Sequence, residues 1–344
     1  MKLVLAAPAP FDAVSGGYNF DRAIVAGLRT LGHAVTVVEQ KGRHPLPDAA
    51  AEADARRVLG AVPADATLVI DGLGLPAFSA LADDPAIARA VGLIHHPTPL
   101  EKGLSEADAA ELRTREAAVL GKLARLVATS NATAAQLGGM GIAAQRISVV
   151  EPGTAPAARA PGTRGAGCHI LSIGALVPRK GHDVLLRALG RLPDLDWQLT
   201  IVGQADRDAP HAAMLHALAE ELGIAQRVTF AGEVTGAALE QLWQASDVFA
   251  LATWHEGYGM AAAEALARGI PLAVTAGGAI ADLAQPAFSI MSKPGEHAML
   301  SKGLRRVIFD GEQRARMKDA AWEAGRKLPD WPAQAEKFAA ALTA

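Results

Sequence analysis

Short buried-type apolar runs alternate with amphipathic helical stretches along this chain, and the alternation breaks once, at a stretch with no apolar period. Residues 2–7 (KLVLAA) read as a first strand. After Ser15-Gly16-Gly17, the residues Phe20, Ile24, Leu28 and Leu31 fall on one helical face, and Gly32-His33 ends that helix before a strand at 34–38. Further strands are expected at 67–70, 91–94, 125–129 and 147–150, with helices over 106–123 and 131–137, the latter capped by Ser130. The stretch PGTAPAARAPGTRGAGC then carries Pro, Gly, Ala and Arg and reads as a linker at 156–168. Beyond it strands are expected at 169–173, 198–202, 228–230, 248–252 and 272–275, with helices at 181–189, 212–222, 237–244 and 259–267. The last third reads as helical, broken by Gly325, Pro329 and Pro332.

Strands separated by helices pair in parallel, with crossovers covering both faces. The fold class is therefore α/β, with two doubly wound parallel-sheet domains facing a cleft: residues 1–155, joined by a C-terminal helix at 331–344, and residues 169–330. Ligands of such sheets bind beyond the carboxyl ends of the strands.

Composition excludes several classes. Half of the 344 residues are hydrophobic, enough for two cores and too many for a disordered chain. Aromatics make up 4%, which argues against stacking platforms for single-stranded nucleic acid. The 33 Lys and Arg are matched by 36 Asp and Glu, so no global basic field gathers nucleic acid. The one cysteine, Cys168, forms no internal disulfide and no multi-thiolate metal site. No apolar run approaches the roughly 20 residues of a membrane span, and the start lacks a signal-peptide layout. Residues 101–126 mix charge signs evenly, so membrane association is not favoured, and a cytoplasmic protein is expected.

Four places carry chemistry. In Trp254-His255-Glu256-Gly257-Tyr258-Gly259-Met260 a strand runs through a glycine loop into an Ala-rich helix that bears Glu264. Backbone N–H groups at such a helix start receive phosphate or sugar oxygens. Taken alone, the two glutamates also fit a cap and a surface residue. Arg179 and Lys180, after the strand at 169–173, stand where a diphosphate would be neutralised, although an isolated basic pair is usually a solvated turn. His95-His96 ends another strand; no Cys or carboxylate at ligand spacing makes a metal site of it. Gly16 and Gly17 sit in the first strand-to-helix loop, where a backbone can approach a ligand closely. Asp194-Leu195-Asp196 and Asp206-Arg207-Asp208 match a two-aspartate metal pattern that is common by chance.

Glu256 and Glu264, with seven residues between them, resemble the paired-glutamate motif of the family-four retaining glycosyltransferases, which have the GT-B fold of two Rossmann-like domains. Residues 170–183, 199–203, 228–232, 246–249 and Gly277-Gly278 follow the family's order, and the first half matches through Gly16-Gly17 and residues 126–130. The resemblance implies a nucleoside diphosphate sugar as donor, UDP more often than GDP, and transfer with retention to an acceptor, a small molecule or a glycan, which the even charge mix of residues 101–126 makes a soluble one. It implies no metal and no cofactor beyond that co-substrate. By it Glu256 meets donor sugar hydroxyls and Glu264 the ribose. Lys180 and Arg179 meet the phosphates, and the backbone of Gly257, Tyr258, Gly259 and Met260 meets sugar or phosphate oxygens. Gly16 and Gly17 approach the phosphates or the acceptor, and His95, or else His96, lies near the donor sugar. Ala175 stands where many members carry arginine, so either Arg179 substitutes for that residue or donor affinity is weaker. A sugar-nucleotide epimerase of the same fold and a non-catalytic sugar-nucleotide-binding subunit are the alternatives. The oligomeric state is not legible.

Overall fold

The computed structural model describes residues 1–163, 165 and 167–343. Arg164 and Ala166, inside the expected linker, and Ala344, at the end of the expected C-terminal helix, lie outside the described residues. The chain divides into two units, Met1–Gly153 with Pro329–Ala344, and Thr154–Leu328.

The first unit holds a six-stranded sheet of β1 (Lys2–Pro8), β2 (Ala34–Gln40), β3 (Ala66–Asp71), β4 (Val91–Ile94), β5 (Arg125–Ala128) and β6 (Ile147–Val149). Its order is β2-β1-β3-β4-β5-β6, with every pairing parallel. The helix Gly16–Thr30 starts where the Ser15 side chain accepts from the Tyr18 N–H, and it buries Phe20, Ile24, Val25 and Leu28. Each such side chain contributes about 1.5–3 kcal/mol on burial. The helix Trp331–Ala341 packs on it, with Phe20 and Trp331 edge to face at 5.9 Å between centroids.

The second unit repeats the plan with β7 (Cys168–Ile173), β8 (Trp197–Val202), β9 (Val228–Gly232), β10 (Val248–Leu251), β11 (Leu272–Thr275) and β12 (Ser289–Ser292). The order is β12-β11-β10-β7-β8-β9, again all parallel. Ile170, Leu199, Ile201 and Trp197 fill one side of this sheet, and Phe249, Leu251 and Trp243 the other. The chain winds outward in opposite directions from β7 and from β10. The crevice beyond the carboxyl ends of these two neighbours is thus the switch point, where open α/β sheets bind ligands. In the first unit the equivalent place lies between β1 and β3.

The structure corrects the sequence reading in places. The last third is not all helix, because β12 (Ser289–Ser292) forms the sheet edge; four residues are too short for a period to show. Leu31 is 41% exposed, since the helix has already ended at Thr30. The helix expected over 106–123 stops at Leu120, where the Lys122 and Leu123 amides turn back to the Val119 carbonyl. Within the expected linker, Ala160 N–H donates to the Arg268 carbonyl and Gly162 N–H to that of Gln244, so these residues are fastened to the second unit. No helix among the described residues is long and apolar enough to cross a membrane.

Candidate functional site

Arg179 and Lys180 follow β7, and Glu256 follows β10, so the switch point of the second sheet brings the three together. Lys180 Nζ lies 2.7 Å from Glu256 Oε1, and Arg179 Nη1 lies 3.4 Å from the same oxygen. Arg179 Nη1 also donates to the His255 carbonyl at 2.8 Å. The Thr253 hydroxyl is 3.0 Å from the Arg179 carbonyl and 3.1 Å from Glu256 Oε1, tying the two loops to one another. Burial would raise the Glu256 carboxyl, but Lys180 and then Arg179 outweigh it and hold Glu256 below its usual range. The trio carries one net positive charge, and its carboxylate occupies the cations directly. An incoming anion would share or displace that carboxylate, whereas a hydroxyl donor would bind it.

Backbone geometry makes this meeting possible. Gly181 has φ +64°, and a Cβ there would stand 1.9 Å from the Ala252 carbonyl oxygen, so the Arg179-Lys180 turn touches the end of β10 only because residue 181 is glycine. A Cβ on Gly203 would lie 2.0 Å from the Gly174 carbonyl, and the stem of Lys180 runs over Gly174. Fully buried His182, pushed down to about 4 by burial and therefore neutral, faces that carbonyl with Nε2 at 3.1 Å.

Glu256 also stitches the site to β11, its N–H donating to the Gly277 carbonyl and its carbonyl accepting from Ala279. The loop then passes Gly257 and buried Tyr258 and enters the helix Met260–Ala267 at Gly259. Glu264 sits on that helix. Its side chain makes no hydrogen bond among the described residues, and burial raises its carboxyl, with Arg268 nearby opposing and Glu240 assisting. Arg268 spends its guanidinium on Glu240 at 2.6 Å and on the Glu264 carbonyl at 3.0 Å. A half-buried carboxylate with open lone pairs suits a vicinal diol.

In the first unit, Gly16 and Gly17 are not loop residues as expected: the Ser15 cap draws them into the first helical turn. Gly17 faces the His95 ring, and a Cβ there would stand 3.3 Å from Cδ2. His95 Nε2 lies 3.0 Å from Asp21 Oδ1 and 3.3 Å from Asp71 Oδ2. Both aspartates are buried. His96 turns elsewhere and pairs with Glu101 at 2.9 Å. Burial would lower His95, but Asp21 and Asp71 together outweigh it and raise it to about 10, while burial raises Asp21 to about 6. In the sequence no carboxylate stands at ligand spacing from this histidine. The topology supplies two, one on the first helix and one at the end of β3, and the three side chains offer polar atoms within 4.8 Å of one another.

Asp21, Asp71 and Thr253 are the residues that sequence reasoning missed. Two left a signal: Asp21 is a charge on the apolar face of a helix, and Asp71 ends the apolar run of β3. The two-aspartate patterns have local work. Asp194 pairs with Arg305 at 2.6 Å, and Asp208 caps the helix Ala209–Glu221.

Residues 161–324 match the model of the family described as glycosyl transferases group 1. D-inositol 3-phosphate glycosyltransferase of Stackebrandtia nassauensis is 30% identical over 194 residues, covering 51% of this chain and 44% of that protein. The chain thus spans about half the length of the curated relatives it matches. Sucrose-phosphate synthase from Thermosynechococcus elongatus superposes with a TM-score of 0.84 at 17% identity, covering 98% of this chain and 97% of that one. Anabaena HepE in complex with UDP and glucose gives 0.78 at 18% identity, with full coverage of both chains. The chain has the GT-B fold of these neighbours, and the match to the glycosyl transferases group 1 lies within its second unit.

Proposed function

We propose that this chain transfers a glycosyl group from a nucleoside diphosphate sugar, a UDP-sugar in preference to a GDP-sugar, to a hydroxyl of an acceptor, with retention of configuration and without a metal. The observation that carries the reading is the convergence of Arg179 and Lys180 on Glu256 at the switch point of the second sheet. A diphosphate arriving there meets two cations. Glu256, released from them in part, accepts hydrogen bonds from sugar hydroxyls, and Glu264 accepts them from the ribose. The departing diphosphate gathers charge in the transition state, and Arg179 and Lys180 stabilise it there. Deleting one such donor typically costs about 3–4 kcal/mol in the barrier. In this reading the acceptor attacks the same face as the leaving group, with a phosphate oxygen taking the acceptor proton.

Two likenesses support the choice of substrates. The neighbour HepE is described with UDP and glucose, which makes UDP-glucose the first donor to try. Several relatives bear the name D-inositol 3-phosphate glycosyltransferase, which makes a phosphorylated polyol the first acceptor. The test is calorimetric titration with UDP-sugars and GDP-sugars, followed by product analysis with and without acceptor. A Glu256→Ala protein with undiminished donor affinity and full transfer refutes the assignment, and product formed from donor alone points to epimerisation instead.

A further inference from the structure

The geometry around His95 accounts for a proton as well as a position. A carboxylate only accepts hydrogen bonds, so the Nε2 atom that lies 3.0 Å from Asp21 and 3.3 Å from Asp71 must carry hydrogen and share it between them. Asp21 is wholly buried, and its second oxygen, Oδ2, has no partner among the described residues. Two carboxylates enclosed this closely repel one another unless a positive charge stands between them. The other ring nitrogen is differently placed: Nδ1 makes no hydrogen bond among the described residues and is not among the enclosed polar atoms, while the side chain is 20% exposed. The ring makes a T-shaped contact with Phe20 at 5.3 Å between centroids, and the Thr129 and Thr133 hydroxyls donate to the His95 backbone carbonyl, which fastens the main chain that carries it.

We propose that Asp21 and Asp71 are positioning residues that hold His95 as an imidazolium, with Nε2–H given to the two carboxylates and Nδ1–H turned outward as a cationic donor to a substrate oxygen. His95 is then a fixed electrostatic donor and not a general base, because its only accessible nitrogen already carries a proton. The upward pKa shift of His95 agrees with this arrangement, and Asp21, which burial raises to about 6, is still ionised above that pH. The other titratable groups near the trio leave it intact: His44, close enough to interact with Asp71, is pushed down by burial, and His96 is engaged by Glu101. The part of the proposal that names a substrate oxygen rests on the reading as a glycosyltransferase. The protonation of His95 does not.

The test is long-range proton–nitrogen correlation on the full chain labelled with 15N-histidine, His95 being assigned by its loss in His95→Gln. The wild type is expected to show both His95 nitrogens as imidazolium from pH 6.5 to 8.5. Asp21→Asn with Asp71→Asn is expected to titrate within that range. Asp71→Asn alone, which keeps the buried Asp21 contact, shifts part of the way and covers the case in which the double variant fails to fold. A wild-type His95 that is neutral at pH 7, or whose Nε2 signal moves on adding zinc or manganese and returns with chelator, overturns the proposal. With UDP-glucose and inositol 3-phosphate, wild-type transfer should hold its rate to pH 8.5 while the Asp71→Asn rate falls about tenfold. Parallel profiles for the two proteins also overturn it. Intact imidazolium signals with no transfer by any protein refute the enzymatic reading and leave the protonation standing.

Discussion

Lys180→Met isolates the central contact of the second unit. Lys180 Nζ stands 2.7 Å from Glu256 Oε1, with the side chains only 16% and 10% exposed. At an effective dielectric of about 20, unit charges that close attract by about 6 kcal/mol, and much of this is offset by their lost hydration. Removing one member of a buried pair costs about 3–5 kcal/mol, because the other charge stays behind. The loss here should fall near the bottom of that range, about 3 kcal/mol. The reason is that Arg179 remains 3.4 Å from the carboxylate and the Thr253 hydroxyl 3.1 Å. Glu256→Gln strands the two cations and should cost a similar amount. The double variant removes both charges of the pair but leaves Arg179 without its carboxylate, so it should lie about 3 kcal/mol below wild type, for a coupling of about 3 kcal/mol. Urea unfolding read by tryptophan fluorescence suits the measurement, because Trp197, Trp243, Trp254 and Trp322 of the five tryptophans lie in the second unit. Single losses that add to within about 0.5 kcal/mol in the double variant refute the reasoning. UDP should bind the double variant at least tenfold more weakly than wild type, however stable that variant is.

Three further outcomes are expected. Gly203→Ala drives a Cβ to within 2.0 Å of the Gly174 carbonyl, and the loop beneath Lys180 must move. A loss of about 1–3 kcal/mol in urea unfolding and a weaker UDP titration should appear together, and an unchanged Kd would separate the loop from the site. Burial raises Glu116 from 4.5 to about 7, so between those values the fold holds a proton that the unfolded chain releases, and its stability falls as pH rises. Glu116→Gln removes that slope, so wild type should gain about 2–3 kcal/mol on the variant between pH 8 and pH 4.5 by urea unfolding. A constant gap refutes the shift. Glu264→Gln keeps the shape of a raised carboxyl without its charge, and should weaken UDP binding about tenfold while leaving inorganic diphosphate binding unchanged in calorimetry. Equal losses for both ligands would place Glu264 at the phosphates instead.

The alternation of apolar runs with helical periods was sufficient by itself to specify two parallel sheets, because period and element length are local properties. The Ser130 cap and the Gly32 stop were legible for the same reason. So were Arg179, Lys180, Glu256 and Glu264 as candidates, each lying just past a strand or on the helix after one. The elements that escaped were those without a local signature: β12 is four residues long, and Gly16-Gly17 entered a helix that only the Ser15 cap defines. Nothing local says that residues 77 apart share one carboxylate oxygen, as Arg179 and Glu256 do, or that Asp21, Asp71 and His95 meet. Those contacts depend on strand order, which sets β7 beside β10 and β3 beside β4. Strand order is a property of long-range pairing, and the charges that it buries together acquire their strength from the low dielectric that only the folded sheet provides.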